Sequence, residues 1–172
     1  PTLSDVPQMV NNAIELADIE LRRQQVRLTP YVAARMPMLM VDPILIEQVL
    51  INLLKNAGEA IAQANRPLGE RNVELRVAPR RIDDQDVVEF EVRDSGNGVP
   101  DELIERIYEA FYSTKSEGMG IGLKLCRSIV ESHHGRMRGE NPYNGADVTG
   151  GCFSSWIPVT SRLQPQGTPG LA

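Results

Sequence analysis

Long apolar runs are missing from this sequence. No stretch approaches the ~18 consecutive apolar residues that a membrane-spanning helix needs. The opening residues Pro1-Thr2-Leu3-Ser4-Asp5 lack the basic and apolar segments of a secretory signal. A chain that opens on Pro1 with no Met reads as a fragment or a processed product. Cysteine is scarce. Cys126 and Cys152 match no metal-ligand spacing, and two lone thiols read as core residues of a cytosolic protein rather than as a disulfide. Positive charge is in deficit. The net charge of −5 speaks against a nucleic-acid module, which shows a basic face. Internal repeats are absent. What is present suits one compact domain: 172 residues, of which 41% are hydrophobic, enough to bury a full core.

Periodicity orders the elements. Val6, Met9, Val10, Ala13, Leu16, Ala17 and Leu21 recur at helical spacing, so Asp5 to about Gln25 reads as an amphipathic helix. Leu28–Val32 and Met36–Val41 read as short strands around Pro30 and Pro37, at a sheet edge. Asp42 caps a second helix with Pro43 in its first position. That helix runs to about Ala64 and buries Ile46, Val49, Leu50, Leu53, Ala57 and Ile61. After a loop at Arg66-Pro67-Leu68-Gly69, Val73–Val77 and Val87–Arg93 form a hairpin through Asp83-Asp84-Gln85-Asp86. A short helix is expected over Asp101–Tyr108. The glycine-rich Gly118–Gly122 segment leads into a helix that ends near His134 with Gly135 as its cap. Arg136–Arg138 and Phe153–Val159 are late strands. The tail from Ser161, with Pro165, Gly167, Pro169 and Gly170, is expected to be disordered. Helices and strands that cluster without regular alternation point to an α+β sandwich.

Three stretches carry chemistry. The second helix holds Asn52 and Asn56. A four-residue step leaves them about 40° apart on one face, one turn from each other. Asn is a poor helix former because its amide competes with the backbone. Two of them in mid-helix, flanked by Gln48 and Glu59, make either a solvated outer face or a pair of carbonyl oxygens for Mg²⁺ and its waters. Next, Asp94-Ser95-Gly96-Asn97-Gly98 follows a strand directly. Val88, Phe90 and Val92 share one face of that strand, and Asp94 continues their parity, so it points inward. A buried carboxylate needs a donor, and an adenine amino group is one. Gly96 and Gly98 would let the backbone approach a flat ring; an ordinary Asp-Ser-Gly turn is the plainer alternative. Third, Gly118-Met119-Gly120-Ile121-Gly122-Leu123 is neither the dinucleotide fingerprint nor a P-loop. It is a flexible surface loop or a glycine run whose bare N–H groups and helix dipole face phosphates. Thr114 and Lys115 just upstream could add a hydroxyl and a cation.

The order and spacing of these stretches resemble the sensor histidine kinases. Ile46-Glu47-Gln48-Val49-Leu50-Ile51-Asn52-Leu53-Leu54-Lys55-Asn56-Ala57 is similar to their N box. Asp94–Gly98 resembles the first glycine box, Phe111-Tyr112-Ser113-Thr114-Lys115 the F box, Gly118–Leu123 the second glycine box, and Gly150-Gly151-Cys152-Phe153 the closing one. The short stretch between Lys115 and Gly118 is similar to the compact ATP lids of nitrogen-regulation and FixL-type kinases. The resemblance implies the Bergerat fold: a two-layer α/β sandwich with a mixed sheet against about three helices. It implies a catalytic ATP-binding domain over residues 1–160, with residues 161–172 as a tail and the phosphoacceptor histidine domain absent. By the same resemblance Asn56 would ligate Mg²⁺ with Asn52 beside it, and Asp94 would read adenine in a pocket shaped by Gly96 and Gly98. Thr114, Lys115, Gly118, Gly120, Ile121, Gly122 and Leu123 would surround the phosphates. Asn52, Asn56 and Lys115 would be the catalytic set. Two positions depart from the common pattern: Glu59 stands where many members carry Lys or Arg, and Gly151 where a Thr often follows the closing glycine.

The implied activity is transfer of the γ-phosphate of Mg-ATP to a histidine on a separate dimerisation domain. A response-regulator receiver would lie downstream, in a cytoplasmic setting, with a monomeric isolated domain and a homodimeric parent. An ATP-hydrolysing relative of the gyrase or chaperone type is the competing reading. Such enzymes place a Glu general base where Asn52 stands, and an amide cannot take that proton. A non-catalytic interaction module is the third class, and intact Asn56, Asp94 and glycines speak against it. His133 and His134 are the only histidines. They sit about 12 residues, roughly 18 Å, beyond Gly120 along the helix, and read as helix-end groups rather than as phosphoacceptors.

Overall fold

The computed structural model describes residues 1–64, 67–94, 117–140, 143–144, 147–148 and 151–159. Helix α1 (Val6–Arg23) begins where Asp5 accepts the Gln8 N–H at 3.2 Å, a side-chain cap on an otherwise orphaned donor. Its inward stripe is Val6, Met9, Val10, Ala13, Ala17 and Leu21, while Leu16, expected in that stripe, points outward and is 58% exposed. It ends in a left-handed residue, Gln25 at φ 61°. The Gln25 N–H reaches Arg22 O and the Val26 N–H reaches Leu21 O, the paired bonds of a Schellman close. Helix α2 (Pro43–Ala64) has the bounds its periodicity predicts. Asp42 starts it, accepting Leu45 N–H on its side chain at 3.4 Å and Ile46 N–H on its carbonyl at 3.1 Å.

The strands are β1 (Thr2–Ser4), β2 (Arg27–Val32), β3 (Leu39–Val41), β4 (Asn72–Ile82), β5 (Gln85–Asp94), β6 (Arg136–Glu140), β7 (Tyr143–Asn144), β8 (Asp147–Val148) and β9 (Gly151–Pro158). Five form the main sheet in the order β2-β4-β5-β9-β6. The β2–β4 pair is parallel and the rest are antiparallel, so the sheet is mixed. Strand β2 is an edge, as Pro30 requires. Strand β3 is shorter than expected and leaves the main sheet to pair with β1, which no sequence signal announced. The β4–β5 hairpin turns on Asp83 and Asp84 alone, at φ 51° and 61°, the positive values a two-residue hairpin loop demands.

One face of the sheet is apolar: Val73, Leu75, Val77, Val88, Phe90 and Val92 are all buried. The helices cover that face, with α2 packed on β4 and β5 and α3 (Glu117–Ser132) on β6 and β9. This is the two-layer α+β sandwich with three helices among the described residues. The opposite face carries Glu74, Arg76, Arg80, Glu89, Glu91 and Arg93 by strand parity. A groove of about 490 Å³ there is lined by Tyr31, Arg76, Arg80, Glu89 and Glu91. Its charges satisfy one another: Arg76 pairs with Glu74 at 3.1 Å and Arg80 with Glu89 at 2.7 Å. Arg76 also lies 4.7 Å over the Tyr31 ring.

Candidate functional site

Helix α2 is gripped by α1 on one flank and by α3 on another. The register of α3 on α2 follows from two polar joins. The Cys126 S–H points at Val49 O, 3.8 Å away, and Cys126 is also hydrogen-bonded by the Asn52 side chain. Seven residues further along α3, His133 Nε2 accepts the Asp42 N–H at 3.1 Å. Numbers rise on α3 as they fall on α2, so the helices run antiparallel. Carried back toward the start of α3, the same register brings Gly122 to the level of Leu53 and Gly118 to the level of Ala57. The glycine-rich turns therefore lie beside Asn52 and Asn56.

Both asparagines are half-buried. Asn52 Oδ1 receives the Gln48 amide at 3.3 Å, so Gln48, Asn52, Cys126 and Val49 O form one chain of hydrogen bonds. Burial pushes the Cys126 thiol up to about 12, with the Asn52 hydrogen bond pulling the other way. The thiol is thus a neutral packing and hydrogen-bonding group and not a nucleophile. Asn56 differs from Asn52: its Nδ2 is buried and has no hydrogen-bond partner among the described residues. An unsatisfied buried amide costs roughly 1–3 kcal/mol. A Cβ added at Gly122 would meet no atom of the described residues within 4 Å. Leu123 is fully buried in the core, so its side chain packs and only its backbone faces the glycine turns.

Asp94 ends β5 with its side chain on the helix-covered face, 8% exposed. Its Oδ1 accepts the Gly151 N–H from β9 at 3.1 Å. That bond orients the carboxylate through a neighbouring strand. The glycine run itself sits differently from the sequence expectation. Helix α3 begins at Glu117, so Gly118, Gly120 and Gly122 lie inside its first turns instead of ahead of them. Each glycine costs about 1 kcal/mol relative to Ala in a helix. Burial of Leu123, Cys126, Ile129 and Val130 on the other side of α3 outweighs that. Gly96, Gly98, Thr114 and Lys115 lie outside the described residues, as do the expected helix at 101–108 and the tail from 161.

Three contacts have no forecast in the sequence pattern: Cys126 with Asn52, His133 with Asp42, and Gly151 N–H with Asp94. Only the first leaves a trace there, because Leu123, Cys126 and Val130 recur at core spacing. The cap of α3 also differs. His134, not Gly135, is the left-handed residue, at φ 67°. His134 N–H reaches Glu131 O and Gly135 N–H reaches Val130 O, which places Gly135 one residue later in a Schellman close. Among the described residues no group of three or more His, Cys, Asp or Glu is arranged to hold a metal. A cation at Asn56 would need ligands from phosphate and water, which is how Mg²⁺ is ordinarily held.

Comparison with known proteins bears on this geometry. The family described as histidine kinase-, DNA gyrase B- and HSP90-like ATPase matches residues 41–161. The C4-dicarboxylate transport sensor protein DctS of Rhodobacter capsulatus is 37% identical over 161 residues, covering 94% of this chain and 23% of that protein. Sensor protein FixL of Bradyrhizobium diazoefficiens is 36% identical over 160 residues, covering 93% of this chain and 30% of that protein. The chain thus spans less than a third of the length of these relatives. The solved catalytic domain of histidine kinase ThkA superposes with a TM-score of 0.71 at 26% identity, over 91% of this chain and 96% of that one.

Proposed function

This chain belongs to the histidine kinase-, DNA gyrase B- and HSP90-like ATPase family, and on that premise we propose that it is the catalytic ATP-binding domain of a sensor histidine kinase. The domain spans about residues 1–160 and binds ATP with Mg²⁺. It donates the γ-phosphate to a histidine on the dimerisation domain of its parent. Kinship with sensor kinases and with a solved kinase catalytic domain supports the activity. The observation that carries the site is the buried amide NH₂ of Asn56, beside the glycine-rich start of α3: it has no partner among the described residues and can donate to a phosphate oxygen, leaving Oδ1 to face a cation. Asn56, with Asn52 next to it, is assigned to Mg²⁺ and the phosphates. The backbone of Gly118, Gly120, Ile121, Gly122 and Leu123, with Thr114 and Lys115, is assigned to the phosphate oxygens. Asp94, with Gly96 and Gly98, is assigned to adenine. Bound Mg²⁺ would neutralise phosphate charge; the chain's own part is positioning.

The partners follow from that role: the parent's phosphoacceptor domain, and through the parent a response-regulator receiver. No described helix is long and apolar enough to cross a membrane, which fits a catalytic domain that works on the cytoplasmic side. The parent is a homodimer and the isolated domain a monomer in this reading. His133 and His134 are at the far end of α3 from the glycine turns, and His133 is committed to Asp42 and Ile129. The chain alone is therefore expected not to label itself.

A thermal melt with millimolar Mg-ADP or Mg-ATP tests the core of the proposal. At ligand a hundredfold above its dissociation constant, the fold gains about 2.7 kcal/mol. A melting temperature that ignores both nucleotides ends it. With γ-labelled ATP, label should appear on an added phosphoacceptor hairpin and not on this chain.

A further inference from the structure

The ring of His133 can be assigned a tautomer from its neighbours. Asp42 N–H is a donor, so the Nε2 it meets at 3.1 Å must carry a lone pair. On the other side, Nδ1 lies 2.8 Å from Ile129 O, which can only accept. Ser132 Oγ lies 3.3 Å from Nδ1, but its own hydrogen goes to the same Ile129 carbonyl at 2.7 Å. Its lone pair thus also faces Nδ1. The ring is neutral, with the hydrogen on Nδ1. The two nitrogens hold different elements. Nδ1–H is tied to the last turn of α3, and Nε2 is tied to the residue that starts α2.

The location gives this bond leverage. Asp42 is the starting cap of the helix that carries Asn52 and Asn56. His133 follows directly on α3, the helix whose first turns hold the glycines. Cys126 joins the two helices near their middle. A helix held at two points seven residues apart cannot swing about either one. With His133 released, Cys126 is the polar join to α2 that remains among the described residues, and the glycine end of α3 gains room to shift against the asparagines. The apolar contacts of Leu123, Ile129 and Val130 favour a crossing angle but tolerate changes in it, and the two polar joins narrow that range.

We infer that His133, in the Nδ1–H form, is a positioning residue that latches the end of α3 onto the first turn of α2 and so sets the glycine turns against Asn52 and Asn56. The role rests on the nucleotide reading of that site. It concerns the phosphate end of a bound nucleotide and not the adenine end at Asp94.

Two measurements on the folded chain test it. In a ¹⁵N-histidine-labelled sample, only two rings give signals, and exposed His134 serves as the internal reference. Long-range ¹⁵N–¹H spectra should show a protonated Nδ1 and a bare Nε2 for His133. A protonated Nε2 on that ring overturns the latch. Calorimetry then compares Mg-ADP with adenosine. His133→Gln can place its Oε1 where Nε2 was and keep the Asp42 N–H satisfied; His133→Leu cannot. His133→Leu should weaken Mg-ADP about three- to tenfold, the size of one hydrogen bond, and leave adenosine unchanged. His133→Gln should recover most of the loss. If His133→Leu fails to melt cooperatively, His133→Asn replaces it, because its amide reaches Ile129 O but stops short of Asp42. Equal Mg-ADP affinity across the native chain and both variants overturns the latch alone. A native chain that binds neither Mg-ADP nor adenosine overturns the nucleotide reading, and the latch's role with it.

Discussion

The two flanks of α2 are built from different material. Toward α1 the contact is mostly apolar, drawing on Met9, Val10, Ala13, Ala17 and Leu21 of α1, with one polar join where Asn12 Nδ2 donates to Glu47 Oε2 at 3.0 Å. The helices approach so closely at Gly58 that an added Cβ would strike Leu21 Cδ2 and Gln24 Oε1. Toward α3 the apolar contacts are interrupted by polar joins at Cys126 and His133, and the two asparagines lie along that side. Apolar burial is strong and selects an angle only loosely, whereas hydrogen bonds are weak and directional. The α1 flank therefore holds the fold together, and the α3 flank holds the site in shape. Substitutions on the first should change stability at constant affinity per folded molecule. Substitutions on the second should do the reverse.

The largest expected effect is on the α1 flank. Leu21 is wholly buried and faces Gly58. Leu21→Ala removes its packing and leaves a cavity, at a cost of about 2–5 kcal/mol. Urea unfolding should show a lower midpoint with little change in slope. Calorimetry on the folded fraction should show unchanged nucleotide affinity. An affinity loss in step with the stability loss would break the division between the flanks.

Asp94→Asn comes next and tests the reverse case. The new amide can still accept the Gly151 N–H through its oxygen, so the β5–β9 pairing survives. What changes is the charge offered to adenine. Losing a charge-assisted hydrogen bond should cost roughly 1.5–3 kcal/mol of ATP binding, with the melting temperature of the free protein little altered. Full affinity in Asp94→Asn would remove Asp94 from the adenine site.

What the sequence makes legible differs between the flanks in the same way. The apolar stripe of α1, and both ends of α2, are local patterns that periodicity and capping chemistry expose. The inward aim of Asp94 follows from strand parity. The common face of Asn52 and Asn56 follows from the helical repeat. Contacts that join distant parts of the chain are not legible. His133 meets Asp42 across 91 residues, Cys126 meets Val49 across 77, and Gly151 meets Asp94 across 57. Strand β1 exists only because β3 pairs with it. The start of α3 defeats a local reading for an energetic reason: glycine propensity argues for a loop, but burial of one face of the helix decides the matter.

The smallest effect expected concerns Cys126, and its pH dependence has a definite sign. In the folded chain burial raises this thiol from 9.0 to about 12. A group whose folded pKa is raised lends stability that is complete below the unfolded value and is lost as pH climbs toward the folded one. For Cys126 the window therefore opens near pH 9 and closes near pH 12. Within it the native chain should lose stability by up to ~1.4 kcal/mol per pH unit more than a variant with no titrating group there. Cys126→Ser is that variant. Its hydroxyl keeps a donor and an acceptor at that position, beside Val49 O and Asn52, so the seam between α2 and α3 stays polar. Urea unfolding of both proteins at pH 7, 9 and 10 should give parallel stabilities up to about pH 9, then a gap of ~1 kcal/mol by about pH 10. The same Ser variant should bind Mg-ADP as the native chain does, and Cys126→Val, which fills the space but offers Asn52 nothing, should bind it more weakly. Curves that stay parallel to pH 10 would mean that the thiol ionises no harder in the fold than in the open chain. The seam would then be wet, and the contrast between the flanks of α2 would reduce to one between a dry interface and a hydrated one.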